Sequence, residues 1–516
     1  MSAPAPNILL VMFDQLAPQF LPFHGHPLVQ APAMAALAEG GAVFDNAYCN
    51  SPLCAPSRFS MLSGQYCSRI GAYDNAAEFA SDVPTVAHYL RKLGYRTCLA
   101  GKMHFVGPDQ LHGFEERLTT DMYPADFGWT PDWEHPHRAF FWHHNMQSVV
   151  EAGVYERTLA LDFDDEVAFQ AQRKIYDMAR DDDSRPFFLT ASFMQPHDPY
   201  MTPQAYWRQY DHDDTDMPRV PTLGDDEHSR RLFKTCSMDE YRIGDEHVRN
   251  ARHAYYGMIS YLDEQLARLR AAVDAAGFAD NTLWIMTSDH GDMLGEHGLW
   301  YKMSFFEHSV RVPLVMNGPG IGPRRVEENV SLVDLLPTLL DYAGDGAAPE
   351  LAAAVDGRSV LPALRGDGIG GANTVVAEYL AEGTAAPMLM LKKNHYKYTC
   401  CPGDSVQLFD LATDPDECEN LAGKIELAPV EADFRALADD HWDSGEVRRA
   451  VIASQKRRRF THDALQLGQV RPWDFQPYRD ASRQYNRNLA GEMYDTDRRA
   501  RIPYRDPPNP DGGNEG

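Results

Sequence analysis

Long apolar runs are missing from this chain of 516 residues. No stretch approaches the roughly 20 residues that a membrane-spanning helix needs. The first residues, Met1-Ser2-Ala3-Pro4-Ala5-Pro6, carry no basic charge, and the apolar run behind them is short for a leader and is needed in the fold. The expectation is a cytoplasmic protein. Cysteine is scarce as well: the eight present show neither a disulfide framework nor a zinc spacing, and the adjacent Cys400 and Cys401 cannot readily bridge each other. Positive charge is in deficit, with 48 Lys and Arg against 75 Asp and Glu and a net charge of −27. That balance argues against a nucleic-acid binder, which would show basic patches. It keeps a protein soluble and would attract a cationic substrate. What remains is an ordinary globular composition, 44% hydrophobic, in a chain long enough for one large domain with a smaller one appended.

Residues 7–13 form an unbroken apolar run, the pattern of a central parallel strand buried on both faces. Further strands are expected at 95–100, 186–193 and 281–287, with another beginning at 311, and helices at 33–39, 85–93, 251–276 and 331–342. Residues 102–129 read as loop, and 201–248 as an irregular insertion covering the site. From Gly344 the character changes. A linker over 344–354 leads to short strands at 375–379, 388–391, 395–400 and 406–411 and a helix near 431–440, a small antiparallel sheet packed by one helix. Residues 451–516 form a long tail, too aromatic at Trp473, Phe475, Tyr478 and Tyr485 to be simply disordered. The divisions therefore fall at 1–343, 344–450 and 451–516.

The chemistry gathers around Ser51-Pro52-Leu53-Cys54-Ala55-Pro56-Ser57-Arg58. Pro56 is tolerated in the first turn of a helix over 55–62. Position 54 then sits at a helix N-terminus, where free N–H groups favour developing negative charge. Arg58, four residues on, projects from the same face. Alone, the segment reads equally well as a buried structural cysteine at the start of a helix. Its companions weigh against that. Ligands of open α/β sheets bind at the C-terminal ends of strands. At such ends lie Asp14-Gln15, Lys102-Met103-His104, Gln195-Pro196-His197-Asp198-Pro199 and Ser288-Asp289-His290-Gly291-Asp292. Lys102 and His104, two apart in an extended segment, share one face. Prolines on either side of His197 fix where it points. Asp292, Glu296 and His297 shape the loop that leads to Lys302.

Cys54-x-Pro56-x-Arg58 is the pattern that marks a cysteine for oxidation to formylglycine, and together with these strand-end residues the chain resembles the type I sulfatases over residues 7–488. Residues 73–78, 101–114 and 123–131 narrow the resemblance to the choline-sulfatases. It implies an α/β, alkaline-phosphatase-like fold: a large mixed, mostly parallel sheet flanked by helices, a smaller C-terminal α+β subdomain and an extended tail. It implies a formylglycine made from Cys54 by a separate installing enzyme, with Arg58, Lys102, His104, His197 and Lys302 completing the catalytic set. One divalent cation would be held by Asp14, Asp289, His290 and position 54. Carboxylate oxygens favour Ca²⁺ or Mg²⁺, Ca²⁺ being the first choice, and the imidazole leaves Mn²⁺ open. Gln15 stands where the commoner pattern has a second acid; it is an additional metal-site residue or leaves its coordination position to water.

The substrate implied is choline-O-sulfate. Its trimethylammonium has no N–H to donate, so aromatic faces and carboxylates must recognise it. The resemblance points to Trp129, His144 and Glu382, with Asn75 near the substrate and Glu378 competing with Glu382. In the implied reaction one oxygen of a hydrated aldehyde attacks sulfur and displaces the alcohol. The second then loses its proton and sulfate is expelled, so one hard step becomes two. His104 and His197 divide the proton transfers, in either assignment. The tail implies a homo-oligomer, dimer or tetramer. Two rivals stay open: a phosphonate monoester or phosphodiester hydrolase, or a sulfatase for another small ester, of the same superfamily; and a non-catalytic binding protein with Cys54 unmodified.

Overall fold

A computed structural model describes residues 5–136, 144–344, 350–470 and 473. An eight-stranded sheet organises the large part of the chain. Its strands are β1 (Asn7–Phe13), β2 (Ala42–Tyr48), β3 (Arg96–Gly101), β4 (Glu116–Arg117), β5 (Phe187–Ser192), β6 (Thr282–Ser288), β7 (Leu314–Asn317) and β8 (Arg324–Ser331), in the spatial order β8-β2-β7-β6-β1-β5-β3-β4. Only β7 runs antiparallel to its neighbours. Every residue of β1, β5 and β6 is buried, which explains why these strands read as continuous apolar runs without alternation. Helices α1 (Pro32–Glu39), α2 (Cys54–Ser63), α3 (Val86–Lys92), α4 (Leu159–Arg180), α5 (Glu227–Thr235), α6 (Asp245–Ala275) and α7 (Leu335–Gly344) accompany the sheet. On one face Leu10, Phe188 and Ile285 of the sheet meet Met61, Val86 and Leu336 of α2, α3 and α7.

Register places the site. Phe13 pairs with Ser288, Met12 with Ser192, and Ser192 with Gly101. The residues that follow these strands, Asp14, Asp289 and Lys102, therefore leave the sheet along one edge. Gly101 is obligatory there: its φ is +99°, and a Cβ would meet the Ser192 carbonyl oxygen at 1.8 Å.

Beyond residue 350 a second sheet contains β9 (Thr374–Tyr379), β10 (Met388–Lys393), β11 (Tyr396–Cys400) and β12 (Gln407–Asp410), antiparallel throughout. Leu389, Leu391, Tyr398 and Leu408 pack on Phe434 of α8 (Ala428–His441), the helix expected from the sequence. This sheet is bonded to the first part of the chain: Glu378 N donates to Asn50 O at 2.8 Å, and Lys397 Nζ donates to Phe305 O at 2.7 Å.

Three expectations need correction. The region 201–248 is less irregular than its composition suggests: it contains α5, whose buried residues are His228, Ser229 and Leu232 amid charge, and the start of α6 at Asp245. The loop 102–129 contributes β4 to the sheet edge. Residues 451–465 continue a 22-residue helix, α9 (Ser444–Leu465), across the boundary set at 450. Its sequence is too polar to show a core-facing stripe, because its buried contacts are made by Gln455 and Arg458 as well as Val451. The aromatic tail beyond 470, Trp473 apart, lies outside the described residues. Among the described residues no helix is long and apolar enough to cross a membrane.

Candidate active site

Four ligand atoms meet at the sheet edge. One from each of Asp14, Cys54, Asp289 and His290 lie within 4.8 Å of one another, all buried. Asp14 and Asp289 arrive on neighbouring parallel strands, Cys54 on the first turn of α2. The helix start is fixed from two sides: Asn75 Oδ1 accepts from Ala55 N at 3.0 Å, and Ser57 Oγ donates to Asp289 O at 2.6 Å. All ten residues of α2 are buried.

Arg58 occupies the centre of this cluster. Its Nε donates to Asp289 Oδ2 at 2.8 Å, Nη2 to Asp14 Oδ2 at 2.9 Å, and Nη1 to Lys102 O and Ser192 Oγ at 2.6 and 2.9 Å. Each guanidinium nitrogen is thereby engaged, so Arg58 orients the two carboxylates. Lys102 Nζ is ion-paired with Asp14, lies 3.6 Å from Cys54 Sγ, and sits 4.1 Å over the Tyr123 ring. Burial raises the Asp14 carboxyl, but the Lys102 and Arg58 cations outweigh it and hold the group well below the usual carboxylate range. The Cys54 thiol is pushed up to about 11 by burial and by Asp14, against Lys102 and Lys302. As a thiol it is protonated at neutral pH, and a neutral thiol is a poor nucleophile.

Could a cation fit? His290 Nδ1 lies 3.0 Å from Gly291 O, a contact that needs an N–H there and leaves Nε2, 3.3 Å from Cys54 Sγ, free of its proton. Asp14 Oδ1 has the thiol at 3.9 Å and His290 Nε2 at 4.0 Å beside it. Two carboxylates, a neutral imidazole nitrogen and a fourth donor at position 54 suit a divalent ion. Gln15 is engaged elsewhere: its amide oxygen accepts from Lys302 Nζ at 2.7 Å and its nitrogen donates to Asp292 at 2.6 Å. Asp292 shapes the loop in this way, as does Glu296 by accepting from the Arg219 and Val220 N–H groups.

Two histidines flank the cluster. His197 Nδ1 is 2.7 Å from Asp198 O, and its Nε2 is 2.7 Å from Lys302 Nζ and 3.3 Å from the Tyr123 hydroxyl. Burial and Lys302 keep it neutral. The loop ahead of it is anchored by Asp164 of α4, which accepts from Met194 N and Gln195 N at 2.6 and 3.0 Å. His104 is buried, and neither ring nitrogen has a hydrogen-bond partner among the described residues. Burial and Lys102 lower it to about 3. The shared face expected of Lys102 and His104 is not that of a strand. β3 has ended at Gly101 and His104 has φ +60°; Asp121, accepting from Met103 N and His104 N at 3.0 and 2.9 Å, holds this bend.

Trp129 meets the edge of His104 at 5.9 Å and Tyr123 at 5.1 Å between ring centres. His144 stacks on Tyr301 at 4.7 Å and lies 6.3 Å from His197. Glu382 follows β9, half-buried; burial raises its carboxyl to about 7, with Asp74 adding and Lys302 opposing. Glu378, the competitor, is fully buried and already accepts from Ser68 N at 2.8 Å, Ser68 Oγ and Cys67, with His441 Nε2 at 2.7 Å. Sequence reasoning missed Tyr123, Asp121 and Asp164, none of which sits in a recognisable spacing. It also missed the pairing of Asp74 with Arg458, although both fall in segments it singled out.

A family model described as Sulfatase matches residues 6–345, one described as N-sulphoglucosamine sulphohydrolase, C-terminal, matches 295–441, and one described as Choline sulfatase enzyme C terminal matches 449–502. The chain is 46% identical over 499 residues to a choline-sulfatase of Rhizobium meliloti, covering 95% of this chain and 97% of that one. It is 30% identical over 460 residues to arylsulfatase K of Homo sapiens, covering 82% and 80%. Among solved structures, the phosphonate monoester hydrolase of Agrobacterium radiobacter superposes with a TM-score of 0.66 at 26% identity, over 85% of this chain and 96% of the other. With the fold, the buried Asp/Cys/Asp/His cluster and these likenesses in agreement, the chain belongs to the sulfatase family and is a sulfuric ester hydrolase.

Proposed function

We propose that this chain hydrolyses choline-O-sulfate to choline and sulfate. The observation that carries the reading is the buried convergence of Asp14, Cys54, Asp289 and His290 in a chain 46% identical, over nearly its whole length, to a choline-sulfatase. Asp14, Asp289, His290 and position 54 would hold one divalent cation, with Ca²⁺ as our choice on its oxygen donors and Mg²⁺ or Mn²⁺ as alternatives. When bound, such an ion lowers the pKa of a hydroxyl beside it and balances charge. A formylglycine at position 54, as its hydrate, supplies one hydroxyl to attack and another to drive release, which a lone thiol lacks.

The remaining work belongs to side chains already in place. Lys102, 3.6 Å from Cys54 Sγ, and Lys302 bring positive charge to the sulfuryl oxygens, in a buried site where that charge counts most. Arg58 keeps Asp14 and Asp289 in position. His104, neutral and unpaired, is the acceptor for a hydroxyl proton at residue 54. His197, neutral and bonded to Lys302, serves the leaving oxygen with that lysine as proton source. At the other end Trp129, His144 and Glu382 receive the trimethylammonium, each desolvated cation–π contact contributing ~2 kcal/mol, and Asn75 adjoins them.

A cytoplasmic location, a formylglycine-installing enzyme as partner and a dimer or tetramer built through the tail complete the proposal. So does a division of labour in which residues 1–343 carry catalysis, the following residues form the small sheet, and the tail beyond α9 serves association. The experiment is a comparison of kcat/KM on choline-O-sulfate and on an aryl phosphonate ester, with the intact mass measured on the same sample. We expect strong preference for choline-O-sulfate and a mass lowered by about 18 Da, the exchange of a thiol for an aldehyde. Preference for the phosphonate would favour the reading suggested by the Agrobacterium neighbour. An unaltered mass with no turnover would favour a binding protein.

A further inference from the structure

The segments that carry the proposed cation-binding residues are bonded to α9, the last helix among the described residues. Arg458 of α9 is 6% exposed and Asp74 is fully buried. Arg458 Nη1 and Nη2 donate to the two carboxylate oxygens of Asp74, each at 2.7 Å. Nη1 also donates to Thr130 Oγ1 at 3.1 Å, and Nε to Ser454 Oγ at 3.2 Å. Asp74 immediately precedes Asn75, and Thr130 immediately follows Trp129. One turn away on the same helix, Gln455 Oε1 accepts from Trp133 N at 2.9 Å, and the Trp133 indole donates to Ala381 O at 2.8 Å, next to Glu382. A single helix thus reaches all three segments that bear Asn75, Trp129 and Glu382.

A bidentate guanidinium–carboxylate pair fixes angle as well as distance. Buried, it also resists loss of either partner, because the other charge would be stranded away from water. The sulfate end of the site depends on it through one bond, Asn75 Oδ1 to Ala55 N, which the bond from Ser57 Oγ to Asp289 O backs up; Asp14, Lys102, Asp289 and His290 follow strand ends, Arg58 lies on α2, and the loop ahead of His197 is anchored by Asp164. Moreover Arg458 and Gln455 lie within the stretch matched by the choline-sulfatase C-terminal family model, outside both of the other matches.

We propose that Arg458 is the positioning residue of the cation-binding end: by clamping Asp74 and Thr130 it sets Asn75 and Trp129 for a quaternary ammonium, and so determines specificity without touching substrate. The inference rests on the choline-O-sulfate reading above. Its test is Arg458→Met, which keeps reach but loses charge and fork, beside Arg458→Lys, which keeps the charge alone. Two properties are measured on the full-length enzyme: hydrogen exchange over residues 73–78 and 127–134, and kcat/KM on choline-O-sulfate and on 4-nitrophenyl sulfate.

Arg458→Met should speed exchange in both segments by about tenfold or more while the sheet strands stay protected. It should lower kcat/KM on choline-O-sulfate by about tenfold or more, through KM, and change that on 4-nitrophenyl sulfate by less than about threefold. Arg458→Lys should fall between. Unchanged exchange in both segments overturns the clamp, and equal losses on both substrates overturn its role in specificity. If Arg458→Met fails to fold, Arg458→Lys is judged by the same criteria. Failure of both to fold overturns the proposal, since the pair then serves global stability alone. A wild-type enzyme that cleaves the aryl sulfate but not choline-O-sulfate would sink the substrate reading, and exchange would still decide whether Arg458 locks the two segments.

Discussion

Glu382 and Glu378 stand four residues apart and do opposite things. Glu378 is used up by hydrogen bonds to Cys67, Ser68 and His441, whereas Glu382, raised to about 7, titrates near neutrality. An ionised carboxylate attracts a trimethylammonium and a protonated one does not. The ratio of kcat/KM on choline-O-sulfate to that on 4-nitrophenyl sulfate should therefore rise between pH 6 and 8 by roughly tenfold, equivalent to ~1.4 kcal/mol of attraction. The ratio cancels titrations common to both substrates, and Glu382→Gln should flatten it. A ratio already flat in the unaltered enzyme would place Glu382 away from the cation.

At the scale of the element, the bend after β3 hangs on one carboxylate. Asp121 accepts from Met103 N and His104 N and is ion-paired with Arg117 at 2.8 Å; burial raises its carboxyl, but Arg117 and those two N–H groups together lower it. A carboxyl lowered by folding stabilises the fold fully above its unfolded pKa of about 3.9 and loses that contribution as pH falls through the folded value. Asp121→Ala should flatten part of the acid limb of stability. It should also cost about 100-fold in kcat on every sulfate ester, as His104 drifts from residue 54; a loss confined to one substrate would contradict this. In the second sheet, Phe434 stacks on Tyr398 with ring centres 5.4 Å apart and is 1% exposed. Phe434→Ala should destabilise by about 3–5 kcal/mol, read in a denaturant titration.

For the molecule as a whole, the net charge of −27 acts on substrates by their own net charge. Choline-O-sulfate is a zwitterion of no net charge, so the acidic surface does not draw it in as it would a cation, which corrects the simplest reading of the composition. Raising ionic strength from about 0.05 to 0.3 M, which shortens the Debye length from well above to below about 10 Å, should leave kcat/KM on choline-O-sulfate nearly unchanged. The same change should increase kcat/KM on the anionic aryl sulfate by relieving repulsion, and should weaken inhibition by choline. Equal salt responses for all three would mean that the surface field does not reach the site.

Local chemistry was open to reading along the chain. The buried strands announced themselves as apolar runs, the four strands of the second sheet by short hydrophobic segments between turns, and the position of residue 54 at a helix start by Pro56. The strand-end acids, lysines and histidines were visible for the same reason: strand period and strand ends are properties of a few consecutive residues. Structure decided what depends on distant segments meeting. It gave Arg58 two carboxylates to hold, turned the Gln15 amide to Lys302, engaged Glu378 with Cys67, Ser68 and His441, and showed that a polar helix within the supposed tail closes on the loops beside the site. Those outcomes follow from which charges burial forces into contact, and pairs as far apart as Asp74 and Arg458 leave no trace in the spacing of either.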